Sequence, residues 1–290
     1  MGSNWPWFAL LAMLGLASGQ VAAQDAPAAR GRELFFDDFN GAELDRSKWN
    51  AEVSGAVYNN ECQAYIDSKD TARVVKGAEA GGTETGALLI QAVARPGFRS
   101  TEGKRYDFVS ARLNTRGKFQ MTRGTAAARM KLPPGAGFWP AFWLLGNGNW
   151  PDDGEIDIME YVGETDWVGV AIHGPGYSGE TPLVNKYFFP KRMDATDWHV
   201  YSVDWTEEGF VFRVDSVVMY RATKPMIVHY GRWAFDSPKF LIVNLALGGA
   251  YPYKTNGVKE PYSGIPASTV DLIKEGKGRI LVDWVRVTGE

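Results

Sequence analysis

The chain has 290 residues, 45% of them hydrophobic and 13% aromatic, which is ample material for one large core or two small ones. A formal net charge of −3 with no Lys/Arg-rich run argues against nucleic acid or an anionic membrane as partner, since both call for basic patches. The lone Cys62 excludes an internal disulfide, so the fold must rest on its core.

Taken in order, the first 23 residues carry no charged side chain. Trp7 to Leu16 is an apolar run too short to span a bilayer. Val21-Ala22-Ala23 then forms a small-x-small cleavage site before Gln24. Residues 1–23 therefore read as a signal peptide, although the basic n-region is reduced to the terminal amine; a buried helix is the alternative. The expectation is a secreted protein, extracellular or periplasmic, with no membrane attachment after cleavage. Residues 24–33 read as a polar linker, and residues 34–288 as one all-β domain.

Within that domain strand-like runs recur at a spacing near ten residues, with Gly, Pro and Asn between them. The expected strands are Ala87–Ala94, Phe108–Thr115, Gly124–Leu132, Gly137–Leu145, Glu155–Val162, Val168–His173, His199–Trp205, Gly209–Val214, Lys239–Leu247 and Arg279–Val287. Such a series suggests a sandwich or barrel. The last run is regular enough to complete a sheet beside the N-terminal strand. Helical periodicity is nearly absent; Ala267–Lys274 is the best short helix.

The segment Gly154-Glu155-Ile156-Asp157-Ile158-Met159-Glu160 stands out. Period-two alternation makes it a strand with one buried face, and Glu155 and Asp157 share a face. Glu160 is an odd step from Glu155 and would face the other way, unless a one-residue bulge near Ile158-Met159 returns it. Three acids on one face repel one another and raise at least one pKa, an arrangement suited to catalysis rather than to stability.

This segment resembles the bulged E-x-D-x-x-E signature of glycoside hydrolase family 16. Five further blocks agree and in the same order: Tyr58–Glu61, Ser110–Thr115, Phe138–Trp143, Asn244–Gly249 and Val282–Val287. Within the family the likeness is to laminarinase-like members, which cut β-1,3-glucans. The resemblance implies a jelly-roll β-sandwich of the concanavalin A-like kind, with a concave cleft for a polysaccharide. It also implies a retaining double displacement with Glu155 as nucleophile, Glu160 as acid/base and Asp157 between them. Two carboxyl groups about 5–5.5 Å apart are what such chemistry needs. Crowding by neighbouring anions is expected to keep Glu160 protonated.

By the same resemblance Asn60, Glu61 and Arg112 contact sugar hydroxyls, with an ion-pair role as the alternative for Arg112. Trp139, Trp143 and Trp150 are candidate sugar platforms, since the 11 Trp and 12 Tyr exceed what a core needs; core packing is the alternative for the first two. His173 is expected within reach of the cleft, or else as a satisfied structural residue. Asp283 in the last strand implies a structural Ca²⁺, held with carbonyls near the N-terminal strand; an ordinary strand Asp is the alternative. Three His and one Cys show no zinc-ligand spacing, so no catalytic cofactor is expected. The expected partner is a β-glucan, bound by a monomer.

Residues 250–278 depart from the laminarinase-like pattern, in which the chain runs quickly into the last strand. This insertion is expected to border the cleft, and it leaves mixed-linkage β-1,3-1,4-glucan as an alternative substrate. A non-catalytic glucan-binding lectin on the same sandwich, and an acidic metal cluster at residues 152–160, are the competing classes.

Overall fold

The computed structural model describes residues 31–289, so the leader read at residues 1–23 and most of the linker lie outside the described residues. Two antiparallel sheets stack face to face. The cleft sheet runs, edge to edge, through Val184–Phe188, Trp167–His173, Glu155–Glu160, Phe138–Gly146, Lys239–Leu247, Arg112–Asn114 and Asn50–Ala51. The opposite sheet runs through Val217–Thr223, Gly209–Val214, His199–Thr206, Gly124–Lys131, Arg279–Thr288, Ala87–Gln91 and Ala72–Val75. Glu33–Asp37 pairs with Arg279–Thr288, as the regular final run leads one to expect. This is the jelly-roll sandwich.

Alternation decides which side chains meet between the sheets. On Lys239–Leu247, the odd positions Leu241, Val243, Leu245 and Leu247 enter the core, and Asn244 and Ala246 turn to the cleft side. On Phe138–Gly146 the even positions Phe138, Phe142 and Leu144 do the same, which leaves Trp139, Ala141 and Trp143 on the cleft side. Trp49, Trp205 and Phe212 fill the interior with full burial. At about 1.5–3 kcal/mol for each large apolar side chain removed from water, this layer fixes the register of both sheets.

Two expected strands are each divided in the structure. Ala87–Ala94 ends as a strand at Gln91, and Val93–Arg99 pairs instead in a third, three-stranded sheet with Arg105–Ser110 and Gln63–Tyr65. Phe108–Thr115 breaks at Ala111, where the chain leaves that small sheet for the cleft sheet. Both switch residues, Ala92 and Ala111, are fully buried alanines. Nothing in a strand-like run announces such a transfer. The Ala267–Lys274 helix forms as expected, and two further short helices, Lys224–Tyr230 and Ala250–Asn256, form where the sequence showed no helical periodicity.

Candidate active site

The acidic strand starts from a glycine requirement. Gly154 has φ +73°, and a Cβ there would lie 2.8 Å from the Phe235 ring and 2.9 Å from the Ala234 carbonyl. Only glycine fits that close left-handed turn. From it Glu155–Glu160 runs antiparallel to both Phe138–Gly146 and Trp167–His173. Trp143 pairs with Asp157 and Phe142 with Met159, so Ile158 has no opposite residue. On the other side Asp157 faces Ala171 and Glu160 faces Gly169, two residues against one between them. The bulge is at Ile158-Met159, and it puts Glu160 on the face of Glu155 and Asp157. Ile156, Ile158 and Met159 go to the core.

The three carboxylates are poorly solvated. Side-chain exposure is 17% for Glu155 and 6% for Asp157. Burial raises the pKa of all three. For Glu155 and Glu160 the Asp157 charge raises it further, and the nearby His173 ring opposes the shift. Burial is thus the first cause and crowding, the cause expected from the sequence, the second. Trp139 Nε1 donates to Glu160 Oε1 at 3.0 Å and fixes its orientation. His173 Nε2 lies 3.2 Å from Asp157 Oδ2 and 3.8 Å from Glu155 Oε1. The arrangement can hold a proton on one carboxyl group and present another as a nucleophile.

A polar chain continues across the sheet. Trp143 Nε1 donates to Asn244 Oδ1 at 2.7 Å, and Asn244 Nδ2 donates to the Tyr65 hydroxyl at 3.2 Å. Glu61 accepts from Gln63 Nε2 at 2.7 Å and from the Tyr65 hydroxyl at 3.3 Å, and burial raises its pKa. Arg112 lies over the Trp143 ring at 4.8 Å and pairs with Glu52 at 3.1 Å. It is therefore in the cleft and in an ion pair at once. Asn60 is exposed in a left-handed turn at φ +57°, which the Ala250 N–H ties down through the Asn59 carbonyl at 2.7 Å.

Trp150 is 52% exposed on the loop before Gly154, with its ring 6.3 Å from that of His173. Asp153 anchors this loop by accepting from the Gly148 N–H at 2.9 Å and from the Ser237 hydroxyl. Trp139, at 9% exposure, is more wall than platform. Tyr251, from the 250–256 helix, packs edge-on against it at 5.6 Å, and Trp167 lies 6.5 Å from the same Tyr251 ring. The insertion thus reaches the cleft through Tyr251, while Tyr262 packs on Phe108 beneath the small sheet. Sequence reasoning missed Asn244 as a site residue, though a polar side chain in an otherwise apolar strand was the available signal. Tyr65, Gln63 and Trp167 gave no such signal.

Asp283 lies on the opposite sheet, where its carboxylate pairs with Arg129 at 2.6 Å. The carbonyls of Phe39 and Thr85 accept from the Lys76 ammonium at 3.1 and 2.6 Å. The Asp38 carbonyl accepts from the Thr85 hydroxyl at 3.0 Å. The Asp283 carboxylate is thus engaged by one cationic side chain, and the Phe39, Thr85 and Asp38 carbonyls by another and by a hydroxyl. His199 is structural, held by Asp215 at 2.9 Å and the Asp194 carbonyl at 3.0 Å.

Residues 69–262 match the glycosyl hydrolases family 16 model. A β-glucanase of Rhodothermus marinus is 36% identical over 231 residues, 75% of this chain and 76% of that protein. The endo-1,3-1,4-β-glycanase EglC of Rhizobium meliloti (strain 1021) is 31% identical over 78% of this chain, which spans only 48% of that relative. The catalytic domain of an endo-1,3-β-glucanase (laminarinase) from Thermotoga petrophila RKU-1 superposes with a TM-score of 0.74 at 32% identity, covering 89% of this chain and 98% of that one. With a matching model over most of the domain and relatives of this kind, the chain belongs to glycosyl hydrolase family 16, among its endo-β-glucanases.

Proposed function

We propose that this protein is an endo-acting, retaining β-glucanase that cuts β-1,3-linked glucan of the laminarin type. The observation that carries the reading is the bulge that gathers Glu155, Asp157 and Glu160 on one cleft-side face. Glu155 attacks the anomeric carbon as the C–O bond breaks, and Glu160 delivers its proton to the departing oxygen. Glu160, now anionic, takes a proton from water, which attacks the glycosyl-enzyme ester and releases Glu155. Asp157 raises the proton affinity of both neighbours by its charge, and Trp139 holds Glu160 in line through its indole N–H. Trp143, Asn244, Glu61 and Arg112 form a polar and aromatic floor on one side of the acids, suited to sugar faces and hydroxyls. Trp150 supplies the exposed platform.

A mixed-linkage specificity is the second reading, supported by the likeness to an endo-1,3-1,4-β-glycanase and by the insertion that brings Tyr251 against Trp139. Reducing-sugar release from laminarin, lichenan, agarose and carrageenan separates these. The expected result is faster release from laminarin than from lichenan, none from the galactans, and a first product of retained configuration by NMR. Release from lichenan alone would replace the first reading with the second, and no release from any of them would leave a lectin.

We further propose that the fold is independent of calcium, because Arg129 already pairs with Asp283 and Lys76 holds the Phe39 and Thr85 carbonyls. The melting temperature is expected to be the same in EDTA and in millimolar CaCl₂. A shift of several degrees between the two would show that a calcium site exists.

A further inference from the structure

Three side chains with metal-ligating atoms converge at one corner of the cleft. Glu155 and His173 are direct cross-strand partners, and Asp157 is two residues along on the same face. One ligand atom from each of the three lies within 4.8 Å of the other two. Asp157 is only 4% exposed, and its Oδ2 has no hydrogen-bond partner among the described residues. A buried carboxylate oxygen that has the His173 ring nitrogen 3.2 Å away but no N–H aimed at it is costly, and a cation is the partner that would satisfy it most strongly. His173 Nε2 lies 3.2 Å from this atom and 3.8 Å from Glu155 Oε1.

We propose that Glu155, Asp157 and His173 form a site for a divalent transition cation, Zn²⁺ in the first instance, and that occupation of this site inhibits the enzyme. One imidazole nitrogen and two carboxylates are a donor set for zinc, and three protein ligands leave a fourth position for water. Calcium and magnesium prefer all-oxygen sets, so the imidazole discriminates against them. Zinc bonds near 2 Å set tetrahedral ligand atoms about 3.3 Å apart, so the His173–Asp157 pair at 3.2 Å already fits and only Glu155, 3.8 Å from His173, must close in by side-chain rotation. The site is of modest strength. His173 Nδ1 is buried without an acceptor, whereas zinc-bound histidines normally donate that N–H, a contact worth about 10–100-fold in affinity. Reversible occupation follows. Motif spacing conceals the site because its ligands come from two strands paired in register.

Occupation removes the nucleophile from reaction. That consequence rests on the glycosidase reading, but cation binding does not, so the two are tested separately. Isothermal titration of the whole chain with ZnCl₂ is expected to show one Zn²⁺ per chain, with no response to MgCl₂. Asp157→Asn and His173→Gln should each weaken binding by at least about tenfold. Asp157→Asn preserves side-chain volume, so it guards against a folding loss in His173→Gln. Glu160→Gln, outside the ligand set, should bind Zn²⁺ within about twofold of wild type even if it turns over no glucan. Laminarin hydrolysis by the wild type should fall as Zn²⁺ rises and return with EDTA. Absence of Zn²⁺ binding, or binding of wild-type strength in Asp157→Asn and His173→Gln, overturns the site. Binding at the site without loss of hydrolysis overturns the inhibition.

Discussion

Glu160→Gln is expected to lower kcat/KM on laminarin by at least about 10³-fold, with binding of the intact polysaccharide largely retained. General acid catalysis contributes about 10²–10⁴-fold, and an unactivated sugar leaving group needs all of it. Glutamine keeps the oxygen that accepts from Trp139 Nε1, so the side chain should stay in place and only the proton is lost. Glu155→Gln should fall at least as far, because no glycosyl ester can form. An aryl glucan oligosaccharide with an acidic phenol as leaving group separates the two roles. Departure of a phenolate requires no proton, so Glu160→Gln should still release phenol in a first turnover while Glu155→Gln releases none. If Glu160→Gln kept the wild-type rate on laminarin, the acid/base role would belong to another group. If both variants released phenol, the nucleophile would lie elsewhere.

Much of this site is legible in the sequence for a physical reason: strand alternation is local. The odd step from Glu155 to Glu160 demands a bulge if both face one cleft, and the bulge is present at Ile158-Met159. The even–odd split of Phe138–Gly146 likewise separates Phe142 from Trp143. What alternation cannot convey is where a strand changes sheets. Ala92 and Ala111 sit inside strand-like runs, with no glycine or proline beside them to mark the transfer. The edge strands Val184–Phe188 and Val217–Thr223 also escape alternation, because much of each is exposed and the pattern is weak.

Electrostatic causes were harder still to read. Crowding of Glu160 by Asp157 follows from the motif, but burial, the larger cause, depends on Trp139, Trp167 and Tyr251 closing in from three separate segments. Arg112 shows the same limit. Its ion pair with Glu52 and its place over Trp143 were alternatives on paper and coexist in the fold.

The same substitutions that remove activity are expected to stabilise the protein at neutral and mildly alkaline pH. Carboxyl groups whose folded pKa lies above the unfolded value bind protons that the unfolded chain has already released. Stability therefore falls as pH rises from the ordinary carboxylate range, about pH 4, through the raised folded values. Glu155, Asp157 and Glu160 all shift in that direction, with burial as the leading cause. An uncharged amide at Glu160 removes this cost, since it stays neutral at every pH and keeps the contact with Trp139. Each pKa unit of upward shift corresponds to roughly 1.4 kcal/mol, or roughly 3–6 °C in melting temperature for a domain near this size. Glu160→Gln should accordingly melt higher than the wild type at about pH 8, and the gap should close towards about pH 4, where the wild-type carboxyls are protonated in both states. Glu155→Gln should behave likewise. The double variant should gain less than the sum, because removing one charge already relieves its neighbours. A lower melting temperature than wild type at about pH 8 would mean that the charged carboxylates stabilise the fold, with His173 as their counter-ion, and that the site carries no electrostatic strain.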